Sequence, residues 1–80
     1  MSVKLVFLGK LADLAGAPEK DAAGPLDWRG LLAALPVPLG EAAKGDKVKL
    51  AFNGKVLAEK STLAARDDDE VALLPPVSGG

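Results

Sequence analysis

The chain of 80 residues contains no cysteine and no histidine. Without cysteine there is no disulfide, no thiolate nucleophile and no thiolate-bound metal. Without histidine the commonest general base and the commonest metal ligand are both missing. Ser2, Ser61 and Ser78 therefore have no imidazole to activate them. Aromatic residues are scarce: one Trp, two Phe and no Tyr. Charge is balanced, with 10 basic and 11 acidic residues and a net charge of −1. A chain with no basic stripe and few rings for stacking is not expected to bind nucleic acid. The longest uncharged apolar stretch, Leu31 to Leu39, is broken by Pro36 and Pro38 and falls far short of the roughly 20 residues of a membrane span. Strand-like alternation starts directly after Met1-Ser2, so no secretory leader and a cytoplasmic location are expected. Gly9 and Gly16 are isolated and form no phosphate loop. These absences point away from an enzyme acting alone, and from a metal or cofactor held by the chain itself.

What is present is a succession of short elements. Val3, Leu5 and Phe7 alternate with Lys4, Val6 and Leu8, which predicts a strand apolar on one face and partly apolar on the other. Leu11, Leu14 and Ala15 at helical spacing predict a short helix closed by Gly16. Glu19 to Ala23 is a weak strand, suggested only by topology as the return half of a loose hairpin. Asp27 is placed to cap a helix whose apolar face carries Trp28, Leu31, Leu32 and Leu35, with Pro36 limiting it. Val37-Pro38-Leu39-Gly40 reads as a connector and Glu41 to Lys44 as one further turn. Lys47 to Phe52 alternates cleanly, and Asn53-Gly54 is a strong hairpin signal leading to a return strand at Lys55 to Leu57. Ser61 to Ala65 suggests a turn of helix capped by Ser61 or Thr62. Arg66 to Glu70 is a charged turn, and Val71 to Leu74 is an apolar strand stopped by Pro75. The eight lysines are scattered and each reads most simply as a solubilising surface residue. Strands gathered on one face of one main helix make a two-layer α+β domain. The first and last strands, the most apolar on both faces, should lie side by side in its centre. The domain spans 1–74, followed by a flexible functional tail at 75–80.

The tail carries the chemistry that remains. Pro75 and Pro76 stiffen its base, Val77 can anchor in an apolar pocket, and Ser78, Gly79 and Gly80 leave a thin end. Six residues reach roughly 20 Å at about 3.3–3.6 Å each. A protruding arm without bulk at its tip suits a carboxylate that must enter a narrow channel, whereas a frayed end needs no such order. A carboxylate is a poor electrophile, so it must first be activated, for example as a mixed anhydride with AMP by an ATP-using partner. The acidic run Asp67 to Glu70 has the oxygens for a hard cation but not the spacing of a calcium loop. A solvated surface and a dock for a basic partner are the other readings of that run.

The stretch from Asp69 through Val71-Ala72-Leu73-Leu74-Pro75-Pro76-Val77-Ser78-Gly79-Gly80 closely resembles the end of the small subunit of molybdopterin synthase. Val3 to Gly16 and the helix near Asp27 to Leu35 are similar to the same family, and the element order matches over essentially the whole chain. The resemblance implies a β-grasp, ubiquitin-like fold. It implies that the Gly80 carboxylate is adenylated by an ATP-dependent enzyme resembling the ubiquitin-activating (E1-like) kind, then converted to a thiocarboxylate with sulfur from a donor. It further implies that the tail inserts into the large, catalytic subunit, where sulfur passes to a pterin precursor of the molybdenum cofactor. Gly79 and Gly80 carry over directly, Pro75, Pro76 and Val77 as tail-positioning residues, and Val6 and Leu8 as a partner-docking face. On this view the chain is a sulfur-donor subunit and not a catalyst. A sulfur carrier for thiamine or cysteine synthesis, a ubiquitin-like protein modifier, and an interaction domain with an idle tail are the other readings.

Overall fold

Period-two alternation forms the first element. Val3, Leu5 and Phe7 are buried and Lys4 is exposed along β1 (Val3–Phe7). The computed structural model describes residues 2–76. After β1 come α1 (Lys10–Ala15), β2 (Glu19–Ala22), β3 (Leu26–Asp27), α2 (Trp28–Ala34) and α3 (Val37–Lys44). Next are β4 (Lys49–Phe52), β5 (Lys55–Val56), a 3₁₀ turn (Lys60–Thr62), β6 (Ala64–Ala65) and β7 (Glu70–Leu74). The main sheet is five-stranded in the order β2-β1-β7-β4-β5, and β3 and β6 pair as a separate ribbon. β1 runs parallel to β7, with Leu5 opposite Val71 and Phe7 opposite Leu73. β4 is antiparallel to β7 on its other edge, with Leu50 opposite Leu73. The first and last strands thus lie side by side, as expected, and the architecture is the α+β, β-grasp arrangement with a mixed sheet. The charged residues of β2 sit on a sheet edge, where they discourage pairing with another chain.

The inner sheet face and the helices share one core in which Val3, Leu5, Leu31, Leu39, Leu50, Val71 and Leu73 are fully buried. Several expectations change. Leu14 is 44% exposed, and α1 is held by buried Leu11 with Ala12 and Ala15 packed against the core beside it. Leu31 of α2 and Leu35, its C-cap, are buried, while Leu32 is half-buried against the core. The stretch Val37 to Gly40 is no connector but the first half of α3, with Leu39 and Ala43 buried at helical spacing. Proline fits the first turn of a helix because the N–H it lacks has no partner there. Pro36 therefore ends α2 while Pro38 sits within the start of α3, and the helical layer is divided into two pieces. Leu63 and Ala65 are buried on either side of exposed Ala64. That is strand periodicity, so the helical turn stops at Thr62 and β6 comes after it. β6 pairs with β3, with Leu26 opposite Ala65, and this ribbon was not expected from the sequence.

Polar groups tie these pieces together. Asp27 Oδ1 accepts from Gly30 N at 2.7 Å, the expected cap of α2. Lys60 is not a plain surface lysine. Its ammonium donates to the carbonyls of Ala43, Gly45 and Val48 at 2.7, 2.7 and 2.9 Å and lies 5.6 Å from the centre of the Trp28 ring. It thereby satisfies carbonyls at and beyond the end of α3 while facing α2. Burial holds it below the ordinary lysine range; the charge of Asp46 opposes that effect and the charge of Lys49 adds to it.

The acidic run is also structural. Asp67 Oδ1 accepts from Gly24 N at 3.0 Å, and a Cβ on Gly24 would lie 2.8 Å from Asp67 N, so only glycine fits there. Asp69 accepts from Asn53 Nδ2 at 3.0 Å and from Arg66 N at 2.9 Å. Asn53 and Gly54 take the positive φ values, 49° and 88°, of a type I′ hairpin. The Asn53 amide oxygen also accepts from Glu70 N at 2.8 Å, which docks the hairpin on β7.

Two measurements check this fold. Leu31→Ala is expected to cost about 2–5 kcal/mol in chemical denaturation and Leu32→Ala about half as much; equal losses would place the helix face differently. The Asp69 carboxyl is held below its ordinary value, first by the Asn53 side chain and then by the Arg66 N–H. Because the folded value is the lower one, its contribution to stability is present above the unfolded carboxylate pKa and is lost as pH falls through the folded value. Asn53→Gly keeps the positive φ but removes the amide, and should raise the Asp69 pKa measured by NMR. An unmoved titration would show that the Asn53 bond is not formed in solution.

Candidate functional site: the tail base and the outer sheet face

The strand that leads to the tail is central, hydrogen-bonded on both edges. Its last paired residue, Leu74, stands opposite Lys49 of β4. Pro75 has no N–H to extend the ladder, so pairing ends there. Pro75 is half-buried and Pro76 exposed. The chain just beyond β1 makes room for this exit. Gly9 has φ 56° and ψ −132°, a conformation that side chains disfavour, and a Cβ there would lie 3.5 Å from Pro75 Cγ. The tail therefore leaves from the middle of the sheet, next to the end of β1. Val77, Ser78, Gly79 and Gly80, expected to form the tail's anchor and reactive end, lie outside the described residues.

The outer sheet face, away from the helices, continues from this exit. Residues directly opposite in a ladder share a face, and the pairs Val6–Ala72, Ala72–Ala51 and Ala51–Val56 run across four strands as one apolar row. Val6 and Ala72 are half-buried, Ala51 is buried by its neighbours, and Val56 is 60% exposed. Leu8 is 44% exposed just past β1, and half-buried Leu74 lies toward the tail. Charged groups border the row. Lys4 pairs with Glu19 at 3.4 Å, and Lys49 is exposed opposite Leu74. The structure thus brings Val6 and Leu8 together with Leu74 and Pro75 on one continuous surface. Sequence reasoning missed Ala72 and Val56 because a short apolar run does not reveal which of its faces is covered. It missed Lys60 because nothing in the sequence marks one lysine among eight.

Among the described residues there is no group of three or more carboxylates placed to hold a metal ion, and no helix is long and apolar enough to cross a membrane. The hollows in the surface are shallow. One of about 250 Å³ lies against Pro25, Leu26, Ala64 and Arg66, beside the acidic turn and away from the tail.

Residues 5–80 match the ThiS family. The chain belongs to the ThiS family. A search of curated proteins gives no match. Solved structures similar to the chain include small archaeal modifier protein 1 from Haloferax volcanii, with 29% identity, all of both chains covered and a TM-score of 0.70. The same-named protein from Methanosarcina acetivorans is 26% identical over 99% of this chain and 96% of its own, with a TM-score of 0.75. A chain from the complex of subunits 1 and 2 of molybdopterin-converting factor from Helicobacter pylori is 25% identical over the full length of both, with a TM-score of 0.69. As a ThiS family member with the ubiquitin-like β-grasp fold, the chain is a small protein of the sulfur-carrier or protein-modifier kind, in agreement with the resemblance read from its sequence.

Gly9 tests the tail base. Gly9→Ala should cost about 1–3 kcal/mol from its positive φ, since 3.5 Å from Pro75 is ordinary contact. An unchanged denaturation midpoint would mean that Gly9 does not hold this conformation.

Proposed function

We propose that the chain is the sulfur carrier of molybdopterin synthase. The observation that carries this reading is the placement of β7. A central, doubly paired strand ends at a proline pair beside an apolar face, and so presents the tail from a fixed point. The Gly80 carboxylate attacks the α-phosphate of ATP held by an adenylating enzyme, pyrophosphate leaves, and an acyl-adenylate forms. Sulfide-level sulfur from a donor then attacks the acyl carbon, the bond to AMP breaks, AMP leaves and a thiocarboxylate remains. The tail, Pro75 to Gly80, next enters the large catalytic subunit, which docks on the face around Val6 and Leu8, and the sulfur passes to the pterin precursor. The chain contributes no general base, because the reacting groups are its own terminus and its partners' residues. The name of the Helicobacter pylori complex, with its two molybdopterin-converting subunits, supports this assignment. The ATP belongs to the adenylating enzyme, and the reading implies a cytoplasmic protein.

A second reading rests on the likeness to small archaeal modifier protein 1 over the whole chain. The same activated Gly80 carboxylate, meeting a lysine amine in place of sulfur, would form an isopeptide bond. Carriers for thiamine or cysteine synthesis use the same first steps.

Intact-mass spectrometry of the protein from its native cells tests both readings. A species with one terminal oxygen replaced by sulfur is expected, and deletion of Gly79 and Gly80 should abolish it together with molybdopterin formation. Mass ladders of conjugates without the sulfur-bearing species would favour the modifier. A deletion variant that still supports molybdopterin formation would sink the carrier reading.

A further inference from the structure

Three lysines stand on the segments next to the tail exit and form no ion pairs among the described residues. Lys10 is next in the chain to Gly9, the residue set against Pro75. Lys49 stands opposite Leu74. Lys47 and Lys49 are both exposed on either side of buried Val48. The ion pairs that do form use other lysines, Lys4 with Glu19 and Lys44 with Glu41. The nearby carboxylates in sequence, Asp13 and Asp46, form no ion pair with these three lysines among the described residues. Asp13 lines a hollow with Gly16, Ala17 and Pro18 on the α1 side, and the charge of Asp46 acts on Lys60.

The acidic run lies at the opposite end of the sheet. Asp68 N donates to Ser2 O and Lys4 N donates to Asp69 O, so the run sits where β1 and β7 begin. From Glu70, the last residue of the run, to Pro75 is five steps along β7, about 16 Å at roughly 3.3 Å per residue. The molecule is therefore charge-asymmetric along its central strands, basic at the exit and acidic at the far end, although its net charge is only −1. Such a distribution orients a protein in the field of a partner.

We infer that Lys10, Lys47 and Lys49 form a basic collar that docks on carboxylates around the mouth of the adenylating enzyme's tail channel. The inference rests on the carrier reading and names a property of the partner that the reading leaves open, an acidic rim. The chemistry gives a reason for it. The tail ends in an anion and must approach a site that already holds the polyanion ATP. A lysine collar on an acidic rim offsets that repulsion outside the channel, where no side chain obstructs the thin end.

The test is ATP–pyrophosphate exchange driven by this chain with the adenylating enzyme of the same organism, measured across salt concentrations. The triple variant Lys10→Glu, Lys47→Glu, Lys49→Glu should raise the KM for the chain about tenfold or more at low salt while leaving kcat nearly unchanged. The gap should narrow toward 1 M salt, where the screening length falls from about 10 Å at 0.1 M to about 3 Å. Replacing the same three lysines with Gln should give a smaller rise in KM, and unchanged circular dichroism of both variants checks that they fold. Lys55→Glu, in the hairpin docked at the acidic end, should leave KM as it was. A triple variant with wild-type KM at every salt concentration overturns the collar but not the carrier reading. A rise in the KM for ATP with none for the chain also overturns it, because the lysines would then meet the nucleotide. Absence of exchange with the wild-type chain sinks the carrier reading and the collar with it.

Discussion

The parallel ladder between β1 and β7 is the constraint on which the rest of the molecule depends. It joins residues from the two ends of the chain, Leu5 with Val71 and Phe7 with Leu73, and so closes nearly the whole sequence into one loop. Closing a loop of that length costs chain entropy. The inner face of the same two strands offsets it, since Val3, Leu5, Val71 and Leu73 are all fully buried against the helical layer. With β4 on its other edge, β7 has no free side. The chain beyond Leu74 therefore starts from a strand hydrogen-bonded on both edges, in the middle of the sheet.

The helical layer that covers this sheet is made of short pieces held by polar ties. Pro36 separates α2 from α3, and neither helix is long enough to be stable without tertiary packing. Lys60 compensates by binding carbonyls around the end of α3 while lying against Trp28 on α2. At the other end of the sheet, Asn53 and Asp69 fasten the hairpin to β7, and Asp67 fastens Gly24. An ammonium that serves three carbonyls and a carboxylate that serves two donors hold together segments with little apolar surface of their own.

One face of the sheet is thus consumed by the core and the other is left for contact. The row Val6, Ala72, Ala51 and Val56 is apolar, flanked by charge, and continuous with Leu74 and Pro75. A partner seated on this row would also meet the tail base, which is the arrangement the proposed function calls for. The ThiS family membership of residues 5–80 accords with a chain that has neither histidine nor cysteine and carries Pro75-Pro76-Val77-Ser78-Gly79-Gly80 after its last strand.

Sequence alone determined the features written in local patterns. Alternation in Val3 to Phe7 and Val48 to Phe52, the Asp27 cap, the Asn53-Gly54 turn and the order of Pro75 to Gly80 are all legible because each is set by neighbours a few residues apart. The absence of histidine and cysteine was equally local, and it narrowed the chemistry before any fold was known. Tertiary structure decided the features that depend on distant partners. Leu14 reads as core but is exposed, because the face of a six-residue helix is chosen by what it meets. Val37 to Gly40 becomes helix because Leu39 and Ala43 are buried at helical spacing and Pro38 stands in the first turn, where proline is tolerated. Ala64 and Ala65 become strand because Leu26 and Asp27 are there to pair with them. Lys60 gains its role from carbonyls twelve to seventeen residues away. The collar of Lys10, Lys47 and Lys49 exists only because the fold brings residues 9, 49 and 74–75 to one end of the sheet.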